Sequence, residues 1–181
     1  MSKFKFKITV IGDGMVGKTS LIQKFTKGSF QKEYIKTIGA QFSKYEEEID
    51  GDRCELVFWD IAGQDEFHFL RPSFYKSSVA SIVVFSLEEN DLGKNSYKHA
   101  GQWLKEIKKF CGDIPTAVFG NKIDLVDESK LDDEKVLKFV KKNDIIGYYH
   151  TSAKTGQNVE NAFSTIIKEL HNKAKSSLLI E

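Results

Sequence analysis

Short apolar runs recur along the chain between longer stretches whose apolar residues return every three or four positions. That alternation predicts βαβ units around a parallel sheet. The runs are Phe4–Ile11, Cys54–Trp59, Ala80–Leu87, Ile114–Phe119 and Ile146–His150. A more polar run, Ala40–Ile49, joins the Cys54 run through Asp50-Gly51, a dipeptide suited to a hairpin turn. That pair is expected to be antiparallel and to lie at one edge. Helices are predicted at Gly17–Thr26, about Glu66–Tyr75, Leu92–Phe110, Asp132–Lys142 and Asn158–Ala174. In the last, Val159, Ala162, Phe163, Ile166, Ile167 and Leu170 mark one buried face. The predicted class is α/β, a six-stranded mostly parallel sheet with one antiparallel edge strand and helices on both faces. No linker, repeat or low-complexity tract divides the 181 residues, so one domain is expected, with its core over 4–174 and a short tail at 175–181.

Charge and composition narrow the function. Lysine plus arginine number 27 and aspartate plus glutamate 26, a net charge of +1, and only Arg53 and Arg71 are arginine. Nucleic-acid binding wants a basic face, and base reading favours arginine. Neither is present, so no nucleic-acid partner is expected. Cys54 and Cys111 make no disulfide framework and lack metal-ligand spacing, which reads as reduced thiols. No signal peptide is visible, and the apolar run Val79–Leu87 is far short of the ~20 residues that span a bilayer. A cytoplasmic protein is expected.

Between the first predicted strand and helix lies Gly12-Asp13-Gly14-Met15-Val16-Gly17-Lys18-Thr19, which fits G-x-x-x-x-G-K-[ST]. A polyphosphate needs many donors close together, and bare backbone supplies them. Glycines let consecutive N–H groups point inward as an anion nest, and the following helix adds its positive end. Lys18 can neutralise β- and γ-phosphates, and the Thr19 hydroxyl is a hard oxygen ligand suited to Mg²⁺. The plainer reading is a glycine-rich turn with an incidental lysine, and placement between strand and helix cuts that reading sharply. ATP, GTP and kinase substrates all remain open on this loop alone.

Asn121-Lys122-Ile123-Asp124 follows the apolar strand Ile114–Phe119, at the end where open α/β sheets bind ligands. Guanine presents N1–H and N2–H₂ side by side, and one ionised Asp accepts both. Adenine has no such donor pair and would leave the carboxylate unpaired, at a cost of ~1–3 kcal/mol or more. Asn121 can brace the neighbouring loop, and the Lys122 stem can lie along the base. Thr151-Ser152-Ala153-Lys154 follows the final strand, where a backbone N–H could meet guanine O6.

With these pieces in this order, the chain resembles a Ras-superfamily small GTPase, most like the Rab branch, over about Lys5 to Leu170. Thr37-Ile38-Gly39 leading to Gln41-Phe42 and Trp59-Asp60-Ile61-Ala62-Gly63-Gln64 carry the likeness too. The resemblance implies that residues 13–20, Ser20 included, wrap the phosphates and that Thr19, Thr37 and Asp60 hold Mg²⁺. Thr37 and the Gly63 N–H would sense the γ-phosphate, and Phe30 and Tyr34 would flank the nucleotide. A core position is the plainer reading of Phe30. Asn121, Lys122, Asp124, Ser152, Ala153 and Lys154 would bind the base. Gln64 would orient the attacking water, with Lys18 and Thr37 assisting. The segments Phe30–Ile38 and about Gly63–Lys76 would be order–disorder switches.

An arginine finger is worth about 10³–10⁵ in rate. Neither arginine precedes the first switch, where the family's own finger would lie. Slow intrinsic GTP hydrolysis is therefore expected, accelerated by a GTPase-activating protein, with an exchange factor and effectors as further partners of a monomer. The competing reading is a nucleotide-dependent binding module with negligible hydrolysis.

Several features depart from the family pattern. Asp65-Glu66-Phe67 stands where Glu-Arg-Phe is usual, Ile61 replaces a threonine, and the hairpin tip is acidic (Glu46, Glu47, Glu48, Asp50, Asp52). The plainer reading of that tip is a solvated edge that resists aggregation. No cysteine follows Cys111, and position 2 is Ser rather than Gly, so no self-encoded lipid anchor is expected. Membrane association would then run through partners or through a tail beyond these residues.

Overall fold

The computed structural model describes residues 2–30 and 36–178. Strands β1 (Lys3–Ile11), β2 (Ala40–Ile49), β3 (Asp52–Ile61), β4 (Ala80–Ser86), β5 (Thr116–Asn121) and β6 (Gly147–Thr151) form one sheet in the order β2-β3-β1-β4-β5-β6. The β2–β3 pair is antiparallel and the other neighbours are parallel. Its turn takes φ of 51° at Asp50 and 79° at Gly51, the left-handed geometry for which Asp-Gly is suited. The helices among the described residues are α1 (Lys18–Lys27), α2 (Arg71–Tyr75), α3 (Asp91–Cys111), α4 (Glu134–Lys142) and α5 (Val159–Leu178).

Strand alternation divides the interior into two layers. Ala80, Ile82 and Val84 of β4, with Ala117 and Phe119 of β5, face α1 and α5. Val83, Phe85 and Val118 face Tyr75 of α2 together with α3 and α4. The predicted face of α5 is buried, and Phe163 is its centre. Its ring lies 4.5 Å from Phe25, 5.3 Å from Phe58 and 5.2 Å from Phe119, measured between centroids. Such geometry adds to the apolar burial.

Two of the differences from the prediction are caused by proline. The helix expected over Glu66–Tyr75 is a 3₁₀ turn, Asp65–Leu70, followed by the short α2. Pro72 has no N–H to donate back into the preceding turn, so the helix restarts at Arg71. β5 begins at Thr116 rather than Ile114, since Pro115 cannot join the ladder as a donor. It runs on to Asn121, which pairs in register with Ser86 and Thr151. β3 also extends to Ile61, placing Asp60 opposite Val10 and Gln41. These extensions bring the carboxyl ends of β1, β3 and β5 to the same edge.

Candidate functional site

That edge opens on a cleft of about 620 Å³, a size suited to a small-molecule ligand. At one end is the loop between β1 and α1. Gly17 caps α1 in the left-handed conformation, with φ of 100°. Lys18 is 6% exposed, and its Nζ donates to the carbonyls of Gly12 at 2.8 Å and Asp13 at 2.7 Å. Burial lowers its pKa to about 8, with Asp60 and Asp13 pulling it back up and Arg71 pushing it further down. A buried ammonium held by neutral carbonyls is poised for an anion.

Beside it, Thr19, Thr37 and Asp60 converge. Thr19 Oγ1 donates to Asp60 Oδ2, Thr37 Oγ1 donates to the same oxygen at 3.3 Å, and the two hydroxyls lie 3.1 Å apart. Burial raises the Asp60 carboxyl above its usual range, against the pull of Lys18, Thr19 and Thr37. Asp60 Oδ1 is buried with no hydrogen-bond partner among the described residues. An orphaned carboxylate oxygen beside two hydroxyls is a hard-oxygen set that fits Mg²⁺.

At the other end, Asn121 is the brace the sequence implied. Its Nδ2 donates to Val16 O at 2.9 Å, while its Oδ1 accepts from Ala153 N–H at 3.2 Å and Thr151 Oγ1 at 3.3 Å. Three loops are tied through one side chain. Asp124 Oδ1 accepts from Ser152 Oγ at 2.6 Å, and Lys154 Nζ stands 3.9 Å from Oδ2. Lys122 takes φ of 69° and pairs with Glu88 at 2.6 Å. Phe30 is 36% exposed and lines the cleft, which removes the core reading.

Met15, Ser20, Gly63 and Gln64 also line the cleft. Gly63 sits so close to the first loop that a Cβ would overlap Gly12 O and Asp13 C. Other expected residues are placed differently. The Asp13 carboxylate turns away to α3, meeting His99 Nδ1 at 2.7 Å and Trp103 Nε1 at 2.7 Å. Val16 is fully buried, and its carbonyl supports Asn121. The Ala153 N–H is engaged by Asn121, and Ser152 stands behind Asp124. Tyr34 lies outside the described residues.

Sequence reading missed two features. Glu88 holds Lys122, and no local pattern announces a partner 34 positions away. A row of rings, Phe42, Trp59 and Phe74, spaced 6.0 Å between successive centroids, lies on the outer face of β2, β3 and α2. Phe42 is 64% exposed. The signal was available: Phe42 and Trp59 are direct partners on the hairpin, where one face must meet solvent or a partner.

Residues 7–172 match the Ras family. The chain belongs to that family. Rab-21 of Homo sapiens is 33% identical over 175 residues, covering 95% of this chain and 75% of that protein. Rab-30 of Homo sapiens is 34% identical over 178 residues, covering 98% and 85%. Rab-21 of Geodia cydonium is 32% identical over 169 residues, covering 92% and 71%. This Ras-family small GTPase has the sheet order of a G domain. Among the described residues, no helix is long and apolar enough to cross a membrane.

Proposed function

We propose that this Ras-family chain binds GTP and GDP with Mg²⁺, hydrolyses GTP slowly, and signals through residues 30–38 and 63–76. The observation that carries this reading is the pairing of ends within one cleft: a buried Lys18 at one, and the Asp124 carboxylate on its Asn121-braced loop at the other. Asp124 accepts N1–H and N2–H₂ of guanine, a match adenine does not offer. Lys122, Lys154 and Phe30 enclose the base. Lys18 exchanges its two carbonyl acceptors for β- and γ-phosphate oxygens, which the backbone amides of residues 13–19 also bind.

Thr19, Thr37 and Asp60 would hold the metal, Asp60 through its unpartnered oxygen. The metal held there would supply positive charge to offset that of the phosphates. Thr37 and the Gly63 N–H read the γ-phosphate, so loss of that group releases both segments. Gln64 orients a water for in-line attack on the γ-phosphorus. The bond to the β–γ bridging oxygen breaks, and GDP and phosphate result.

The two arginines support slow turnover. Arg53 bonds Glu46 across the hairpin, and Arg71 is buried within the second segment. A GTPase-activating protein therefore supplies the finger, an exchange factor opens the cleft, and effectors use the Phe42–Trp59–Phe74 row. Heating the purified protein and separating the released nucleotide tests the base assignment: GDP or GTP is expected, and ADP or ATP overturns it. A single-turnover assay should show GDP accumulating slowly. Completion within seconds overturns the borrowed finger, and no GDP at all leaves a binding module.

A further inference from the structure

Arg71 is 5% exposed, although it lies in a short surface helix. Its guanidinium lies 4.2 Å from the centre of the Trp103 ring on α3. One terminal nitrogen donates to the carbonyls of Gln64 at 3.0 Å and Gly63 at 3.4 Å. The other reaches Glu106 Oε2 at 3.4 Å, and Glu106 Oε1 accepts from Tyr75 OH at 2.8 Å. Trp103 in turn donates its Nε1–H to Asp13 Oδ1 at 2.7 Å, and the Asp13 carbonyl holds Lys18 Nζ at 2.7 Å. One continuous set of contacts therefore joins the phosphate loop, α3 and the turn that carries Gln64.

We propose that Arg71 is a positioning residue for GTP hydrolysis, an internal strut that fixes the Gly63–Gln64 turn against the phosphate loop through Trp103 and Asp13. The proposal rests on the reading of the cleft as a GTP site. Its physical basis is the guanidinium's shape. A planar fork bonding consecutive carbonyls on one edge and a carboxylate on the other, stacked on an indole, has little freedom to rotate. Gly63 has no side chain to restrain its own peptide planes, so the turn depends on such outside bonds. With those planes held, the Gly63 N–H and the Gln64 side chain start from one geometry rather than many, and positioning of this kind governs phosphoryl transfer. Arg71 cannot serve as a finger without giving up these bonds.

Arg71→Gln, Arg71→Lys and Trp103→Phe in the full chain test the strut, with single-turnover GTP hydrolysis and GDP dissociation measured beside wild type. Both Arg71 variants should hydrolyse about tenfold slower or worse, since a displaced catalytic group costs rate steeply. GDP should dissociate within about twofold of the wild-type rate, because Asp124 and Lys18 keep their places. Arg71→Lys separates shape from charge: wild-type turnover there overturns the strut. Equal loss of hydrolysis and of GDP retention also overturns it, as a purely structural residue moves both together. Trp103→Phe keeps a ring beneath the guanidinium and removes the donor to Asp13. Should the Arg71 variants not fold, a slowed Trp103→Phe with normal GDP release supports the strut, and wild-type turnover overturns it. Wild-type protein that binds GTP without hydrolysing it overturns the parent reading, and the strut with it. Normal wild-type turnover with indifferent variants overturns the strut alone.

Discussion

In the proposed reading a single carboxylate, Asp124, sets the choice of base. Ser152 holds it from behind, and it lines the cleft beside Lys154 as an acceptor. Asp124→Asn removes the charge and turns one acceptor into a donor. GDP affinity should fall roughly 100-fold, from the loss of charge-assisted bonds worth ~1.5–3 kcal/mol. Xanthine nucleotides, with a carbonyl where guanine carries its amino group, should gain; competitive displacement measures both. Gly14 tests the catalytic side. A Cβ there would lie 3.2 Å from Gln64 Nε2, so the bulkier Gly14→Val must push the amide aside. Hydrolysis should drop by about 10- to 100-fold with GDP binding retained, as single-turnover and dissociation rates would show. Both positions stand in short motifs of the sequence. The Lys122–Glu88 pair was not legible there, because its partners meet only when β4 and β5 align.

The segment after β3 shows where local patterning fails. Its apolar spacing suits a helix, yet Pro72 breaks it into a 3₁₀ turn and a single α-helical turn. Lys7 of β1 then fastens its end, donating to the carbonyls of Phe74 at 2.6 Å and Lys76 at 2.8 Å while its Nζ lies 4.0 Å from the centre of the Trp59 ring. The Lys/Phe alternation of β1 was plain in the sequence, but it did not say that Lys7 would be a clamp. α3, in contrast, is capped at its start, with Asn90 Oδ1 accepting from Gly93 N–H at 3.0 Å. Asn90→Ala should cost about 0.5–2 kcal/mol, read as a lowered unfolding midpoint in denaturant.

Across the molecule, one buried carboxylate joins the beginning of the chain to its end. Asp52 Oδ1 accepts from Ser2 N–H at 2.8 Å, and Oδ2 meets His171 Nε2 at 3.0 Å and Lys175 Nζ at 3.1 Å. The Ser2 bond first, then those from His171 and Lys175, hold its carboxyl well below the usual range. A depressed folded-state pKa contributes stability that is fully present above the unfolded value of about 3.9 and is lost as pH falls toward the folded one. The stability gap between wild type and Asp52→Asn should therefore shrink as pH falls below about 4. Denaturant titrations across that range would check it, and a gap that widened in acid would remove Asp52 from this role.

The sequence by itself determined the order of the elements, the hairpin turn, the glycine-rich loop before α1, the Asn121–Asp124 motif at a strand end and the family. Each depends on residues a few positions apart, where alternation, turn chemistry and backbone donors act locally. Tertiary structure alone decided which buried polar groups meet: Asp13 with Trp103 across 90 positions, and Asp52 with His171 across 119. A buried charge must find a partner, but the chain's local pattern does not say which one. Packing of distant elements makes that choice, and here it turns Arg71 from a surface residue of a short helix into the inward support of Gln64.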